Sequence, residues 1–270
     1  MFFNTTVTRS MSFAMICSLS ALILSAGIAS YAVAGQTPDY IVNAVADPTR
    51  PAEDRTQDVD RHPEEVLAFT GVKPGASVVD LMPGAGYYTR LFSKAVGARG
   101  KVYALWPEEM SKGAPKQFVK LRTIPGTADY PNVTLLVQPV NSLAIPERAD
   151  LIFTSMNYHD LHDSFMGLPD MAKFNRTMFN SLKPGGVFLV LDTAAAAGTG
   201  FTKTDDLHRV DPAAVKKEVM AAGFEFVSES QALHNAADDH SLLAWDKQAW
   251  DKALKGKSDK FVYKFRRPQH

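Results

Sequence analysis

The stretch that decides the fold runs from Val78 to Thr89 and reads Val-Val-Asp-Leu-Met-Pro-Gly-Ala-Gly-Tyr-Tyr-Thr. A short apolar run ends in an acid, and two glycines one residue apart then lead into a helix start. Before this stretch, Val-Lys-Pro-Gly at residues 72–75 interrupts the chain; after it, Gly97 closes an apolar helical face. A strand, a tight turn and a helix in this order let the backbone approach a nucleotide-like ligand at the edge of a parallel sheet.

Outward from this unit, short apolar runs alternate with helical stretches. The predicted strands are Ala76–Leu81, Lys101–Trp106, Val133–Val137, Asp150–Ser155, Val187–Asp192, Phe224–Val227 and Phe261–Phe265. The predicted helices are Pro63–Phe69, Pro115–Ile124, Asp170–Leu182 and one that Asp211 caps and Gly223 ends. Because successive parallel strands need a helical crossover between them, the alternation predicts a doubly wound α/β fold with a mostly parallel sheet.

The glycine stretch resembles motif I of the class I S-adenosylmethionine (SAM)-dependent methyltransferases, in which an acid precedes three spaced glycines. Asp80 matches the acid, Gly84 and Gly86 match the last two glycines, and Met82 stands where the first glycine belongs. The resemblance covers roughly residues 63–267. It implies a Rossmann-like sheet of seven strands with an antiparallel late strand, SAM as the cofactor, and cofactor contacts from Asp80, Pro83, Gly84, Gly86 and Tyr87.

Within that superfamily the chain is most similar to a group of predicted exported methyltransferase-like proteins. The similarity is carried by four segments, which are Arg-His-Pro at 61–63, Leu-His-Arg-Val-Asp-Pro at 207–212, Asn-Ala-Ala-Asp-Asp at 235–239 and Lys-Phe-Val-Tyr-Lys-Phe-Arg at 260–266.

Two departures from the family pattern bear on cofactor binding. Met82, followed by the stiff Pro83, narrows or reshapes the pocket beneath the cofactor. Trp106 stands at the end of strand two, where the family has an acid for the ribose hydroxyls; it either stacks on the cofactor and leaves the hydrogen bonding to Glu108, or it fills the site. Asn141, after strand three, is expected near adenine. The alternative for the motif acid is that Asp80 caps a turn in an ordinary α/β sheet.

The candidate reactive groups follow strand four. Since ligands of open α/β folds bind at the carboxyl ends of strands, Asn157, Tyr158 and His159 are expected to face the crevice of the glycine loop. The resemblance puts them next to the transferring methyl group, and His159 is the candidate general base. The alternative is that His159 caps a turn. A metal site on His159 and His162 is disfavoured, because its third ligand would have to come from a distant histidine, His208, His234 or His240.

The N-terminal segment indicates export. No charged residue occurs between Arg9 and Asp39, and the apolar stretch ends in Ala-Val-Ala at residues 32–34. This pattern is typical of a signal peptide over residues 1–34, and it predicts a periplasmic or secreted protein; an uncleaved membrane anchor is the alternative. The predicted organisation continues with an extended or loosely packed leader at 35–61 and a methyltransferase-like domain at 62–270.

Composition narrows the function class. The 270 residues carry 29 basic and 29 acidic side chains, which gives no indication of nucleic-acid binding, and the only cysteine, Cys17, lies in the predicted signal peptide. The leading hypothesis is a SAM-dependent methyltransferase that acts on a small-molecule oxygen or nitrogen acceptor. The alternatives are a non-catalytic binding protein with a degenerate SAM cleft and a metal-dependent hydrolase.

Overall fold

The computed structural model describes residues 1–4, 36–244 and 258–269. It contains two compact units, Met1–Gln36 and Thr37–His270. The first holds the predicted signal peptide, whose residues 5–34 lie outside the described part. Among the described residues of the chain, no helix is long and apolar enough to cross a membrane.

The second unit is built on one seven-stranded sheet with the strand order β3-β2-β1-β4-β5-β7-β6. The strands are β1 Ser77–Leu81, β2 Lys101–Pro107, β3 Val133–Gln138, β4 Ala149–Ser155, β5 Leu182–Thr193, β6 Glu225–Ser230 and β7 Lys260–Arg266. Strands β3, β2, β1, β4 and β5 pair in parallel. Every residue of β1 is buried, as expected for a central strand of a sheet covered on both faces.

Helices precede or connect these strands. They are α1 Asp39–Ala46, α2 Ala52–Arg61, α3 Pro63–Thr70, α4 Tyr87–Val96, α5 Met110–Gly113, α6 Pro115–Leu121, α7 Met171–Ser181, α8 Thr204–Leu207 and α9 Pro212–Ala221. Asp211 caps α9 as predicted, because its carboxylate accepts a hydrogen bond from the backbone N–H of Ala213. The predicted doubly wound α/β architecture is confirmed.

The late strands also follow the prediction. Strand β7 lies between β5 and β6 and runs antiparallel to both. Strand β5 begins earlier than the predicted Val187, because the Lys-Pro-Gly-Gly segment at 183–186 belongs to it. The register against β4 shifts between Ala149 and Leu151, so the extra residues form a bulge, and Gly185 takes a positive φ of 78° within it.

The predicted extended leader at 35–61 is wrong. Residues 37–61 contain α1 and α2, and they belong to the same compact unit as the sheet. Ile41 and Ala44 of α1 are buried, and α1 packs on α3 and α4. Helix α2 has almost no apolar face; its acids near the start and Arg61 near the end instead suit the helix dipole, so hydrophobic periodicity did not reveal it.

Candidate active site

A cavity of about 220 Å³ opens at the carboxyl ends of β1 and β4. Its lining combines the glycine loop, the loop after β4 and the helices α2 and α6. The lining residues are Glu53, Asp54, Gln57, Arg61, Asp80, Met82, Pro83, Gly84, Ala85, Tyr87, Tyr88, Gln117, Lys120, Ser155, Met156 and Asn157. A wider cavity of about 490 Å³ lies at the opposite edge, around the loops before β1 and at the start of β5. Ligands of open α/β sheets bind at the carboxyl edge, so the first cavity is the candidate site.

Met82 takes a left-handed backbone conformation, which ordinarily favours glycine. Its φ is +55°, close to the +56° of Gly84, although an L-residue pays roughly 1–2 kcal/mol for this left-handed conformation. The side chain is buried, with 1% of its surface exposed, and the backbone N–H donates to the carbonyl oxygen of Leu105 at 2.9 Å. The turn therefore survives the substitution, and the extra volume of the methionine lies at the cavity wall.

Asn157 joins the two loops around the cavity. Its side-chain amide donates to the carbonyl oxygens of Met82 and Ser155, both at 2.7 Å. Met156, between Ser155 and Asn157, has a positive φ of 58° and also lines the cavity. Two strained methionines and one bridging amide therefore shape the gap between β1 and β4.

Asp80 is the only acid that strand β1 contributes. It is fully buried, its carboxylate accepts a hydrogen bond from the Thr89 hydroxyl at 2.6 Å, and it lines the cavity. Burial raises the pKa of Asp80 to about 7, against the opposing effects of the Thr89 hydrogen bond and the positive charge of Arg90. Asp80 is accordingly divided between its neutral and ionised forms near pH 7.

Helix α2 binds to the glycine loop through a buried ion pair. The Arg90 guanidinium contacts both oxygens of Asp54 at 2.6 and 2.7 Å, and its third nitrogen donates to the carbonyl oxygen of Ala85 at 3.1 Å. Both side chains of the pair are more than nine-tenths buried. Arg90 thus fixes the loop that follows Gly84 to the helix across the cavity.

One turn further along α2, Asp58 makes a second set of contacts. It accepts hydrogen bonds from the Tyr87 hydroxyl at 2.6 Å and from two guanidinium nitrogens of Arg50 at 2.6 and 3.0 Å. The guanidinium of Arg61 lies 4.6 Å from the centre of the Tyr87 ring. Sequence reasoning missed these residues; the spacing of Asp54 and Asp58 by one helical turn was the available indication.

The structure brings together part of the predicted cofactor site. Asp80, Pro83, Gly84 and Tyr87 line the cavity, and Tyr88 lines it as well. Gly86 does not: it takes a φ of +84°, and a Cβ added there would collide with the side chain of Ile124.

The other predicted cofactor contacts lie away from the cavity lining. Trp106 is fully buried, packs on the Phe118 ring with centroids 5.0 Å apart, and donates from Nε1 to the Ser111 hydroxyl at 2.9 Å. Of the two alternatives, it therefore fills its position between β2 and α6. Glu108 and Asn141 are exposed and do not reach the cavity, because the chain turns outward after β2 and β3.

Of the predicted catalytic segment, only Asn157 faces the cavity. Tyr158 is turned into the protein, where its hydroxyl donates to Glu218 at 2.6 Å and accepts from the Asn175 amide at 2.8 Å. His162 stacks on Phe201 with ring centroids 3.7 Å apart. The residues after Asn157 leave the cavity edge because a 3-10 helix, His159–His162, starts there.

His159 lies in a separate buried cluster. Its Nδ1 is 2.8 Å from Oδ1 of Asp192 at the end of β5, and its Nε2 is 3.3 Å from Oδ1 of Asp160. Burial disfavours the imidazolium, but the charges of Asp192 and Asp160 outweigh it and raise the pKa of His159 to about 10. An imidazole that already holds a proton at neutral pH is a poor general base, so the geometry does not favour the predicted role.

Comparison with known proteins assigns the chain to one family. The chain matches the ubiE/COQ5 methyltransferase family over residues 59–238, and it belongs to that family. It is 25% identical over 173 residues to the ubiquinone/menaquinone biosynthesis C-methyltransferase UbiE of Hydrogenovibrio crunogenus, over 62% of this chain and 63% of the relative. Its identity to the enzyme of the same name from Cronobacter sakazakii is 29% over 183 residues, or 65% and 66% of the two chains. The matches therefore span less than two thirds of either relative.

Solved structures show the same fold. A SAM dependent methyltransferase from Aquifex aeolicus aligns over 80% of this chain and 98% of its own, with a TM-score of 0.51 and 22% identity. An arsenic(III) S-adenosylmethionine methyltransferase from Chlamydomonas reinhardtii aligns over 87% of this chain and 74% of its own, with a TM-score of 0.51 and 15% identity. Family and fold together confirm the predicted class, that of the SAM-dependent methyltransferases, and SAM as the cofactor of the class.

Proposed function

We propose that this protein transfers a methyl group from SAM to a small-molecule acceptor and that it does so after export. The observation that carries the proposal is the cavity between the glycine loop and the loop after β4. It lies at the carboxyl edge of the sheet, and its walls come from the motif I turn and from the segment that borders the methyl group in the family.

The residues present fit a cofactor with an adenosyl and an amino-acid part. Gly84 has no heavy atom within 4 Å of where a Cβ would stand, so its backbone is open to close approach by a ligand. Asp80 and Asp54 supply carboxylates to the cavity lining, and Arg61 and Lys120 supply positive charge to it. When bound, SAM supplies an activated methyl group; the protein holds it in line with the acceptor and excludes water.

Asn157 is the predicted catalytic residue with the best placement. A neutral carboxamide is not a base, and the amide nitrogen of Asn157 donates to two carbonyl oxygens, so its effect is to hold the two loops at a set separation. Catalysis would then rest mainly on proximity and alignment. The relatives are named as C-methyltransferases of quinone biosynthesis, which extends the proposed acceptors to carbon as well as oxygen and nitrogen nucleophiles.

The proposed compartment rests on the sequence pattern of residues 1–34 alone. Mass spectrometry of the native protein tests it. Cleavage near Ala34 is expected, and an intact N-terminus would leave the anchored form. Nucleic acid is not among the proposed partners, and a membrane is a partner only if this segment is retained.

Calorimetry with SAM and S-adenosylhomocysteine tests the cofactor site directly. Saturable binding is expected, and Gly84→Val should abolish it, because a branched side chain would stand where the ligand passes the backbone. Gly126→Val is the matched control: Gly126 also has a positive φ, of 70°, and open space, but it lies outside the cavity lining. Met82→Gly should tighten binding, by about tenfold if 1.4 kcal/mol is regained. Equal binding by the Gly84 and Gly126 variants would contradict the assignment.

One observation favours a second candidate, a binding protein without catalysis. Trp106 replaces the family acid at the end of β2 and is fully buried against Phe118, so no carboxylate of β2 is available for the ribose hydroxyls. The absence of any heat with either ligand at millimolar concentration would favour this candidate over methyl transfer.

A further inference from the structure

Beyond the cavity, the segment after Asn157 builds a second polar centre that the proposed methyl transfer does not use. His159, Asp160 and His208 each direct one potential ligand atom to a common point, and these atoms lie within 4.8 Å of one another. His159 Nε2 is 3.3 Å from Asp160 Oδ1, and His208 Nδ1 is 4.0 Å from the same oxygen. Donors bound at 2.0–2.2 Å around one ion are roughly 3–3.5 Å apart, so the more distant of these atoms would have to move closer by up to roughly 1–1.5 Å.

The surroundings of His159 are those of a metal-binding histidine. Asp192 accepts hydrogen bonds from the backbone N–H of His159 at 2.9 Å and lies 2.8 Å from its Nδ1, which fixes the ring and directs Nε2 toward Asp160. A carboxylate on the far ring nitrogen is the common outer partner of a metal-bound histidine. Nε2 itself is buried and has no hydrogen-bond partner among the described residues.

The negative charge of the buried carboxylates around His159 also favours a cation at this place. The carboxylates of Asp160, Asp163 and Asp192 are all buried, and the imidazolium of His159 offsets only one negative charge. A bound metal ion would replace the proton on Nε2 of that imidazolium. Neither carboxylate oxygen of Asp163 has a hydrogen-bond partner in the described part of the chain, and Thr204 beside it donates to the carbonyl oxygen of Phe201. A buried carboxylate without such partners is stabilised either by compensating positive charge or by taking up a proton.

His208 is held in position by the residue that follows it. The fully buried Arg209 donates to the carbonyl oxygens of Leu242 and Ala194 and pairs with Asp238 at 2.9 Å. This arrangement turns Arg209 away from the surface. The His208 side chain keeps 28% of its surface exposed, which leaves a route for an ion from solvent.

We propose that His159, Asp160 and His208 form a binding site for one divalent first-row transition-metal ion of the zinc type, with Asp192 as the outer partner of His159. Two imidazoles and one carboxylate suit zinc and its neighbours, and they suit magnesium or calcium poorly. The site differs from the histidine pair considered from the sequence, because His208 takes the place of His162. The inference rests on this cluster and not on methyl transfer.

Zinc titration of the purified full chain, stripped with a chelator, tests the site. One equivalent of Zn²⁺ should bind saturably, and Mg²⁺ should not compete. His208→Gln and Asp160→Asn should weaken zinc binding by more than about 100-fold, and Asp192→Asn by about 10–100-fold, the range for outer partners. His208→Gln is the most informative variant because the residue is partly exposed, and circular dichroism checks that it folds.

Two matched controls separate this site from other histidines. His162→Gln and His234→Gln should each keep wild-type zinc affinity, because His162 stacks on Phe201 and His234 pairs with Asp259. Co²⁺ in place of zinc should give visible absorption bands that His208→Gln removes. Failure of the wild type to bind zinc, wild-type affinity in His208→Gln, or equal losses in His162→Gln would each overturn the proposal. SAM calorimetry on the same samples is an independent readout of the proposed function.

Discussion

The cavity at β1 and the histidine cluster after β4 differ in what builds them. The cavity is shaped by backbone: glycines and methionines in the left-handed region, closed by ion pairs from α2. The cluster is built by side chains of three segments, with His159 held by the end of β5 and faced by His208. A backbone site tolerates the exchange of a glycine for Met82 because the turn survives, whereas a side-chain site depends on each residue that contributes to it.

The largest expected effect concerns the connection of α2 to the cavity. Asp54→Asn leaves the buried Arg90 without a charged partner, so it should lower the free energy of unfolding by about 3–5 kcal/mol and weaken SAM binding with it. Chemical denaturation and calorimetry measure the two effects. Glu53 lies on the same helix as Asp54 and makes an exposed ion pair with Lys120 of α6. Glu53→Ala removes this pair and should leave the free energy of unfolding near the wild-type value. Similar losses in both variants would mean that burial of the pair is unimportant.

The second prediction uses the raised pKa of Asp80. The pKa of Asp80 is about 7 in the folded protein and near 3.8 ordinarily, so the folded protein binds this proton more tightly than the unfolded chain does. The stability that the bound proton contributes is complete below pH 3.8 and is lost as the pH rises through 7. Asp80→Asn cannot ionise. The free energy of unfolding of Asp80→Asn, relative to that of the wild type, should therefore rise by roughly 3 kcal/mol from pH 5 to pH 8. Urea unfolding at both pH values measures this, and a difference independent of pH would refute the buried-acid interpretation.

The third prediction separates the two glycines of the loop. Gly86→Ala should destabilise the protein by about 2–3 kcal/mol, because the new methyl group meets Ile124 and the backbone has a positive φ. Gly84→Ala should cost only about 1 kcal/mol, because its surroundings are open. Thermal unfolding of both variants checks the order. The reverse order would show that Gly84, and not Gly86, is the packing position.

The smallest expected effect concerns Tyr158, in the segment after β4 that leads into the histidine cluster. Tyr158→Phe removes a hydrogen bond to Glu218 and leaves the Asn175 amide with one acceptor fewer, at a cost of about 1–2 kcal/mol. Because Tyr158 does not line the cavity, SAM affinity should stay unchanged. A loss of SAM binding without a loss of stability would instead return Tyr158 to the catalytic segment in which the sequence placed it.

Sequence reasoning predicted the strands, their parallel arrangement and the position of the glycine turn, because each depends on residues adjacent in the chain. The Asp-Leu-Met-Pro-Gly-Ala-Gly stretch contains its own strand end, its own breaks and its own helix start. Sequence reasoning failed for α2, whose charged face has partners in α4, and for His208, which faces His159 from a segment beyond β5. Neither feature has a local period to detect.

The sequence by itself therefore determined the methyltransferase class, the doubly wound sheet and the edge of the sheet at which a ligand is expected. Only the tertiary structure decided which residues meet there. It placed Asp54 under Arg90, buried Trp106 against Phe118, and turned His159 from the cavity toward Asp192. The reason is physical: backbone conformation follows from neighbouring residues, but burial, charge pairing and the direction of a side chain depend on segments that come together only when the sheet forms.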